Sequence, residues 1–268
     1  MHRDVTGRRS TSSRRGAWLV AAIFAFGAIV FCGLFFAPKA GPPAVPGEAR
    51  WGVPERKLRF VTWDLRRRHP GAGNALDIVR QLQPDYVLLQ GIEEEDVIPL
   101  AEVMGMQHSY HPQLYQRAKN FSGRKADWGA VVLSKYPLYE GRGIPGPEGV
   151  SGAWAVSVVD GRKFVVAAAH LAAGEQGQQE AAALREAWEK RQSPPMVLAL
   201  LPADGNVSPK IQPIATGAET DGQWLLFTPG WSASAVAVPA PGDGPVPLAA
   251  EGSAAENSSI PAARETAR

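Results

Sequence analysis

The sequence predicts an α/β domain of two packed mixed β-sheets with helices outside, preceded by one transmembrane helix. Three observations carry this expectation. Short strand-like runs alternate with amphipathic helical stretches in the first half of the folded region. Hairpin signals follow them, so the sheets are not purely parallel. An uncharged run of 21 residues, from Ala17 to Ala37, stands before all of these.

That run is rich in Phe, Ile, Val, Leu and Ala. At about 1.5 Å per residue, a helix of this length covers the roughly 30 Å of bilayer hydrocarbon. Residues 1–16 form a basic arm whose arginines, Arg3, Arg8, Arg9, Arg14 and Arg15, should stay in the cytoplasm. The domain then lies on the non-cytoplasmic side. A cleaved signal peptide is the rival reading. Its apolar core is usually only about 7–15 residues, and Ala37-Pro38-Lys39-Ala40 offers no clean small-x-small site.

Residues 38–56 read as a Pro/Gly-rich linker and residues 57–250 as the folded domain. Leu58 to Trp63 is strand-like. A helix from Gly73 to Gln83 puts Ala75, Ile78, Val79 and Leu82 on one face, and Pro84 stops it. Tyr86 to Gln90 is a short apolar strand. Val97, Leu100, Ala101 and Met104 mark a second amphipathic helix, closed by Gly105. Ala130 to Leu133 is another strand, and Ala153–Val159 and Lys163–Ala169 flank the hairpin dipeptide Asp160-Gly161. A helix over Gln176–Arg191 ends before Pro194-Pro195. Strands at Met196–Leu201, Trp224–Phe227 and Ala233–Val238 follow. Residues 251–268 lack periodicity and read as a disordered tail.

Charge narrows the partners. The whole chain is +2, yet five arginines against Asp4 give the first sixteen residues +4, which leaves −2 for the rest. A domain that grips nucleic acid through phosphates needs a basic surface, so nucleic acid is not an expected partner. The one cysteine, Cys32, lies in the apolar run, and no disulfide framework can form within the domain. His108 and His111 have an i, i+3 spacing, but a loop-like setting before Pro112 argues against a metal site. Trp63, Trp128 and Trp154 lie on or beside strands and read as core rather than as stacking platforms.

Taken in order, several strand ends carry a resemblance. They are Leu58-Arg59-Phe60-Val61-Thr62-Trp63-Asp64, Pro84-Asp85-Tyr86-Val87-Leu88-Leu89-Gln90, and Trp128-Gly129-Ala130-Val131-Val132-Leu133-Ser134-Lys135-Tyr136-Pro137. Ala169-His170-Leu171, the strand Met196–Leu201 and Gly242-Asp243-Gly244-Pro245 complete the series. In this order they resemble the endonuclease/exonuclease/phosphatase superfamily of metal-dependent phosphodiesterases. The resemblance implies a four-layer αββα sandwich. It also implies attack by water on a phosphodiester, with Mg²⁺ stabilising the developing charge.

Most of the groups that chemistry needs are replaced. Where the family's first strand ends in asparagine, Asp64 stands here, a remnant able to touch a metal. The family's Leu-Gln-Glu, whose glutamate is the principal ligand, is Leu89-Gln90-Gly91. Its Thr-His-Leu is Ala169-His170-Leu171, so the histidine survives. Its Gly-Asp-Phe-Asn falls on Leu200-Leu201-Pro202-Ala203, and its closing Ser-Asp-His on Gly242-Asp243-Gly244, without the general base. His170 and Asp243 are the catalytic remnants that the resemblance implies. Glu93, two residues past Gly91, and Asp204, one past Ala203, could in principle replace lost ligands. The plainer readings are an acidic first helical turn for Glu93-Glu94-Glu95-Asp96 and a polar turn for Asp204-Gly205-Asn206.

The expected function is therefore a membrane-anchored, non-catalytic binding or scaffolding module, whose partner is an envelope protein or a phosphoester ligand. No cofactor is expected. The alternative is a residual phosphodiesterase or phosphatase, which would use Mg²⁺. The anchor gives the first prediction. A reporter fused after Arg268 should be active only on the far side of the membrane, and the protein should resist carbonate washing. A shorter soluble species would show a cleaved signal instead.

Overall fold

The computed structural model describes residues 45–65, 75–112, 128–146, 149–171, 174–190, 194–202, 213–216, 223–239 and 247–255. The basic arm, the expected spanning segment 17–37, Asp204 and Asp243 all lie outside these residues. Among the described residues no helix is long and apolar enough to cross a membrane.

In chain order the strands are β1 (Arg50–Trp51), β2 (Leu58–Asp64), β3 (Tyr86–Glu93), β4 (Gln107–Pro112), β5 (Trp128–Ser134), β6 (Leu138–Gly146) and β7 (Gly149–Val159). Then come β8 (Arg162–Leu171), β9 (Met196–Pro202), β10 (Pro213–Thr216), β11 (Trp224–Phe227), β12 (Trp231–Val236) and β13 (Leu248–Ala254). The helices are α1 (Ala75–Gln81), α2 (Glu94–Met104) and α3 (Gly174–Lys190). One sheet runs β10-β11-β9-β8-β7-β6 with β1 beside β8, and the other runs β12-β13-β2-β3-β5-β4. Both mix parallel pairs (β2 with β3, β8 with β9) and antiparallel ones.

Alternation along each strand sorts the core into three layers. Phe60, Tyr86, Leu88, Ala130, Val132, Phe164, Val166, Ala168, Val197 and Leu225 pack between the two sheets. On the outer face of the second sheet, Val61, Trp63, Leu89 and Val131 meet Ile78, Val79 and Leu82 of α1 with Val97, Leu100 and Ala101 of α2. On the outer face of the first, Val165, Ala167 and Leu198 meet Leu184 of α3. Helix, sheet, sheet and helix follow in sequence, as expected. Trp63, Trp128 and Trp154 are 2%, 6% and 9% exposed, so they are core residues.

The Asp160-Gly161 turn has positive φ at both residues, 50° and 72°, the mirror-image geometry whose twist suits a two-residue hairpin. Three expectations change. The linker is shorter than 38–56, because Ala49, Val53 and Pro54 are buried and β1 pairs with β8. The tail begins later than Glu251: β13 runs to Ala254 between β12 and β2, and Glu251 pairs with Arg59. His108 and His111 sit on the edge strand β4 rather than in a loop, where side chains three apart point to opposite faces. Burial lowers the pKa of His111, favouring the neutral imidazole.

Tyr86 ties the sheets together. Its hydroxyl lies 2.7 Å from Ser157 Oγ of β7, and that oxygen donates in turn to the Pro137 carbonyl. Burial drives the phenol's pKa well above its ordinary value. In the unfolded chain a tyrosine ionises near pH 10. The stability tied to the neutral phenol is therefore complete below about pH 10 and is lost as pH climbs toward the raised folded value. Tyr86→Phe should cost about 1–2 kcal/mol in urea melts at neutral pH. One pH unit above 10, the gap to wild type should narrow by about 1.4 kcal/mol. A gap independent of pH would show that Tyr86 does not stay neutral in the fold.

Candidate functional site

Four strand ends build one polar pole. On β2, Phe60 faces the other sheet, and by alternation so do Thr62 and Asp64. Gln90 is the register partner of Asp64 on the parallel strand β3, and Thr62 Oγ1 donates to Gln90 Oε1 at 3.5 Å. On β8, Phe164, Val166 and Ala168 face inward, which puts His170 next on the same face. The backbone of His170 is in register with Leu201 of β9. Gln223, just before β11, comes opposite that Leu201 position, because Trp224 pairs with Leu200.

One bond shows that these ends meet. The backbone N–H of Asp64 donates to Gln223 Oε1 at 3.1 Å, across the two sheets. Asp64 and His170 therefore belong to the same pole of the sandwich, as the sequence pattern requires. Asp64 is buried and His170 half-buried, and both are engaged by neighbours. Gln223 was not singled out in the sequence. Nothing near it in the chain marks it, since its role depends on a strand more than 150 residues from Asp64.

Gly91 is where the backbone departs from an unbroken strand. Gln90 pairs with Ala130, but Ile92, not Gly91, pairs with Gly129. Gly91 is thus the extra residue of a β-bulge, with φ at +67°. Ile92 packs with Leu89 in the helix-facing core, so the bulge resets the alternation. Beyond the bulge Glu93 pairs with Trp128, which puts it on the inward face with Gln90 rather than in phase with Gly91. It sits at the N-cap of α2 without a side-chain capping bond, followed by Glu94, Glu95 and Asp96 in the first turn, where the helix dipole favours negative charge.

Mg²⁺ needs several hard oxygen donors in near-octahedral array. At this pole Asp64 is the only carboxylate on a matched position among the described residues, and Gln223 Oε1 is already used by an N–H. Among the described residues no group of three or more His, Cys, Asp or Glu converges. The described donors alone do not complete such an array, and Asp204 and Asp243 lie outside the described residues. Of six buried donors without a hydrogen-bond partner among the described residues, two face inward at this pole: Gln90 Nε2, and Trp128 Nε1 on the strand next to β3.

A model of the Endonuclease/Exonuclease/phosphatase family matches residues 61–199. The human Nocturnin catalytic domain with bound sulfate superposes with a TM-score of 0.55 at 13% identity, covering 77% of this chain and 98% of that one. A functionally unknown conserved protein from Enterococcus faecalis V583 gives 0.53 at 13%, covering 74% and 100%. An endonuclease/exonuclease/phosphatase family protein from Bacteroides thetaiotaomicron gives 0.51 at 11%, covering 74% and 97%. At such identities the likeness is one of fold. A search of curated protein sequences finds no match.

The bulge yields a prediction. Glu at position 91 would have to occupy a left-handed conformation that costs an L-residue about 1–2 kcal/mol. Gly91→Glu should lose about that much stability, and Mg²⁺ should not raise its melting temperature. An unchanged stability together with a Mg²⁺-dependent rise would show that the backbone can still present a ligand here.

Proposed function

Because the chain belongs to the endonuclease/exonuclease/phosphatase family, we propose that it keeps the family sandwich as a non-catalytic binding module, held at a membrane by residues 17–37. The observation that carries this reading is Gly91. Where the resemblance expects the ligand glutamate, this glycine offers no donor atom, and it is the extra residue of a bulge at φ +67°.

Other positions agree. Ala169 replaces a hydroxyl, and β9 ends in Leu200-Leu201-Pro202, with no carboxylate or carboxamide on the last strand positions. Lost ligands remove the charge stabilisation that a metal supplies in phosphoryl chemistry, an effect of several kcal/mol. The N–H groups of Gln90 and Trp128, two of six such buried atoms among the described residues, each cost about 1–3 kcal/mol without an acceptor. A ligand with acceptor oxygens would relieve that cost without any metal. Residues 17–37 support the anchoring through their length and lack of charge alone.

Catalysis is tested directly. The purified full chain should show no Mg²⁺- or Mn²⁺-dependent cleavage of a generic phosphodiester above background, and His170→Ala should leave that background unchanged. Turnover that a chelator abolishes, and that His170→Ala abolishes again, would make the protein an enzyme. Displaced ligands such as Glu93 and Asp204 would then be the next to substitute.

A further inference from the structure

The pole opposite the cleft carries a feature that the cleft does not explain. β1 lies parallel to the first residues of β8, with Arg50 beside Arg162 and Trp51 beside Lys163. His170 is eight residues farther along β8, about 26 Å at strand rise. This corner and the cleft therefore occupy opposite ends of the same strand. A turn from Pro46 to Ala49 leads into Arg50, whose N–H donates to the Gly161 carbonyl.

The chemistry of the corner is that of a surface awaiting anions. Arg50 and Arg162 are exposed and occupy register-paired positions on neighbouring strands, where like charges repel. Neither they nor Lys163 is ion-paired with a carboxylate among the described residues, whereas Arg56 nearby is paired with Asp160 at 3.3 Å. The Arg162 side chain is laid against Gly52, its Cδ 3.1 Å from where a β-carbon would stand, which fixes its stem along the surface. Trp51 is 42% exposed, one of the few large apolar side chains left in solvent, and Lys163 Nζ sits 4.8 Å from its ring centroid. An exposed indole among unpaired cations is the side-chain chemistry of a bilayer headgroup region.

The geometry points to this Arg50–Trp51–Arg162–Lys163 corner as a docking surface for anionic lipid headgroups, seating the domain base-down with its cleft turned away from the bilayer. The proposal rests on the reading of residues 17–37 as an anchor, and Ala37 precedes Val45 by only eight residues. A domain of net negative charge would be repelled by an anionic leaflet as a whole. Local pairing of unpartnered cations with headgroups overcomes this only at close range, within about a Debye length of roughly 8–10 Å.

The test uses the full chain, added to vesicles of phosphatidylcholine alone or of phosphatidylcholine with phosphatidylglycerol. Amide exchange is read over residues 48–57 and 159–165. Exchange there should slow only on the anionic vesicles, and the slowing should fade with added salt. Arg50→Gln and Lys163→Gln, which leave the Arg162 packing on Gly52 intact, should each weaken it about fivefold. A salt-insensitive effect, equal slowing on neutral vesicles, or unchanged slowing in the double variant would overturn the proposal. Equal protection by glycerol phosphate without vesicles would also overturn it, by showing an anion pocket in place of a lipid surface. Carbonate extraction is scored separately. A chain that washes off sinks the anchoring reading, while the lipid dependence of exchange still decides the corner.

Discussion

The sandwich depends on a graded inner row that turns from aromatic to polar along β2, β3 and β8. Phe60, Thr62 and Asp64 follow one another on β2; Tyr86, Leu88 and Gln90 on β3; Phe164, Val166, Ala168 and His170 on β8. At the base the rings lock together. Tyr86 stacks on Phe60 at 4.9 Å, and Trp231 meets Phe60, Phe164 and Phe227 edge-on at 5.3–5.8 Å. Such contacts hold two sheets at one separation more firmly than aliphatic packing does. Apolar bulk then falls away toward the other pole, and there polar groups take over the work of joining the sheets. Polar side chains reach the ends of β2, β3 and β8 because the aromatic rings on those strands stop short of them.

That gradient also explains what the sequence made legible. The inner strands are apolar on both faces and announce themselves as runs, so β2, β3, β5, β8 and β9 were found within a few residues of their ends. The missed strands are those that lack this signature. β4, Gln-His-Ser-Tyr-His-Pro, is an edge strand without a buried face, and β6 is rich in glycine with a proline near its end. β13, Leu-Ala-Ala-Glu-Gly-Ser-Ala, looks like the start of a tail, and becomes a strand only because β2, nearly two hundred residues away, offers it a partner. Pairing of this kind is a tertiary decision that local propensity cannot anticipate.

The site was legible in a different proportion. Alternation along β2 and β8 already implied that Asp64 and His170 face inward, and the Asp64–Gln223 bond confirms that their strands end at a common pole. Gln223 itself was hidden, because a glutamine before a short strand carries no motif. The consequence of Gly91 was half visible. Its missing carboxylate could be read from the residue type, but its φ and the reset of alternation at Ile92 could not.

This distinction bears on how the backbone at Gly91 differs from an unbroken strand. When a ligand side chain is replaced on an intact strand, the backbone still points at the old position, and one substitution can restore the donor. Here the register itself has slipped by one residue between β3 and β5. Any side chain introduced at 91 would be held in a left-handed conformation, while Glu93, paired with Trp128 beyond the bulge, returns to the inward face of Gln90 just before α2 begins. Removing the bulge would rotate Ile92, fully buried beneath α1 and α2, out of the helix-facing core. The packing of the outer layer thus holds the bulge in place.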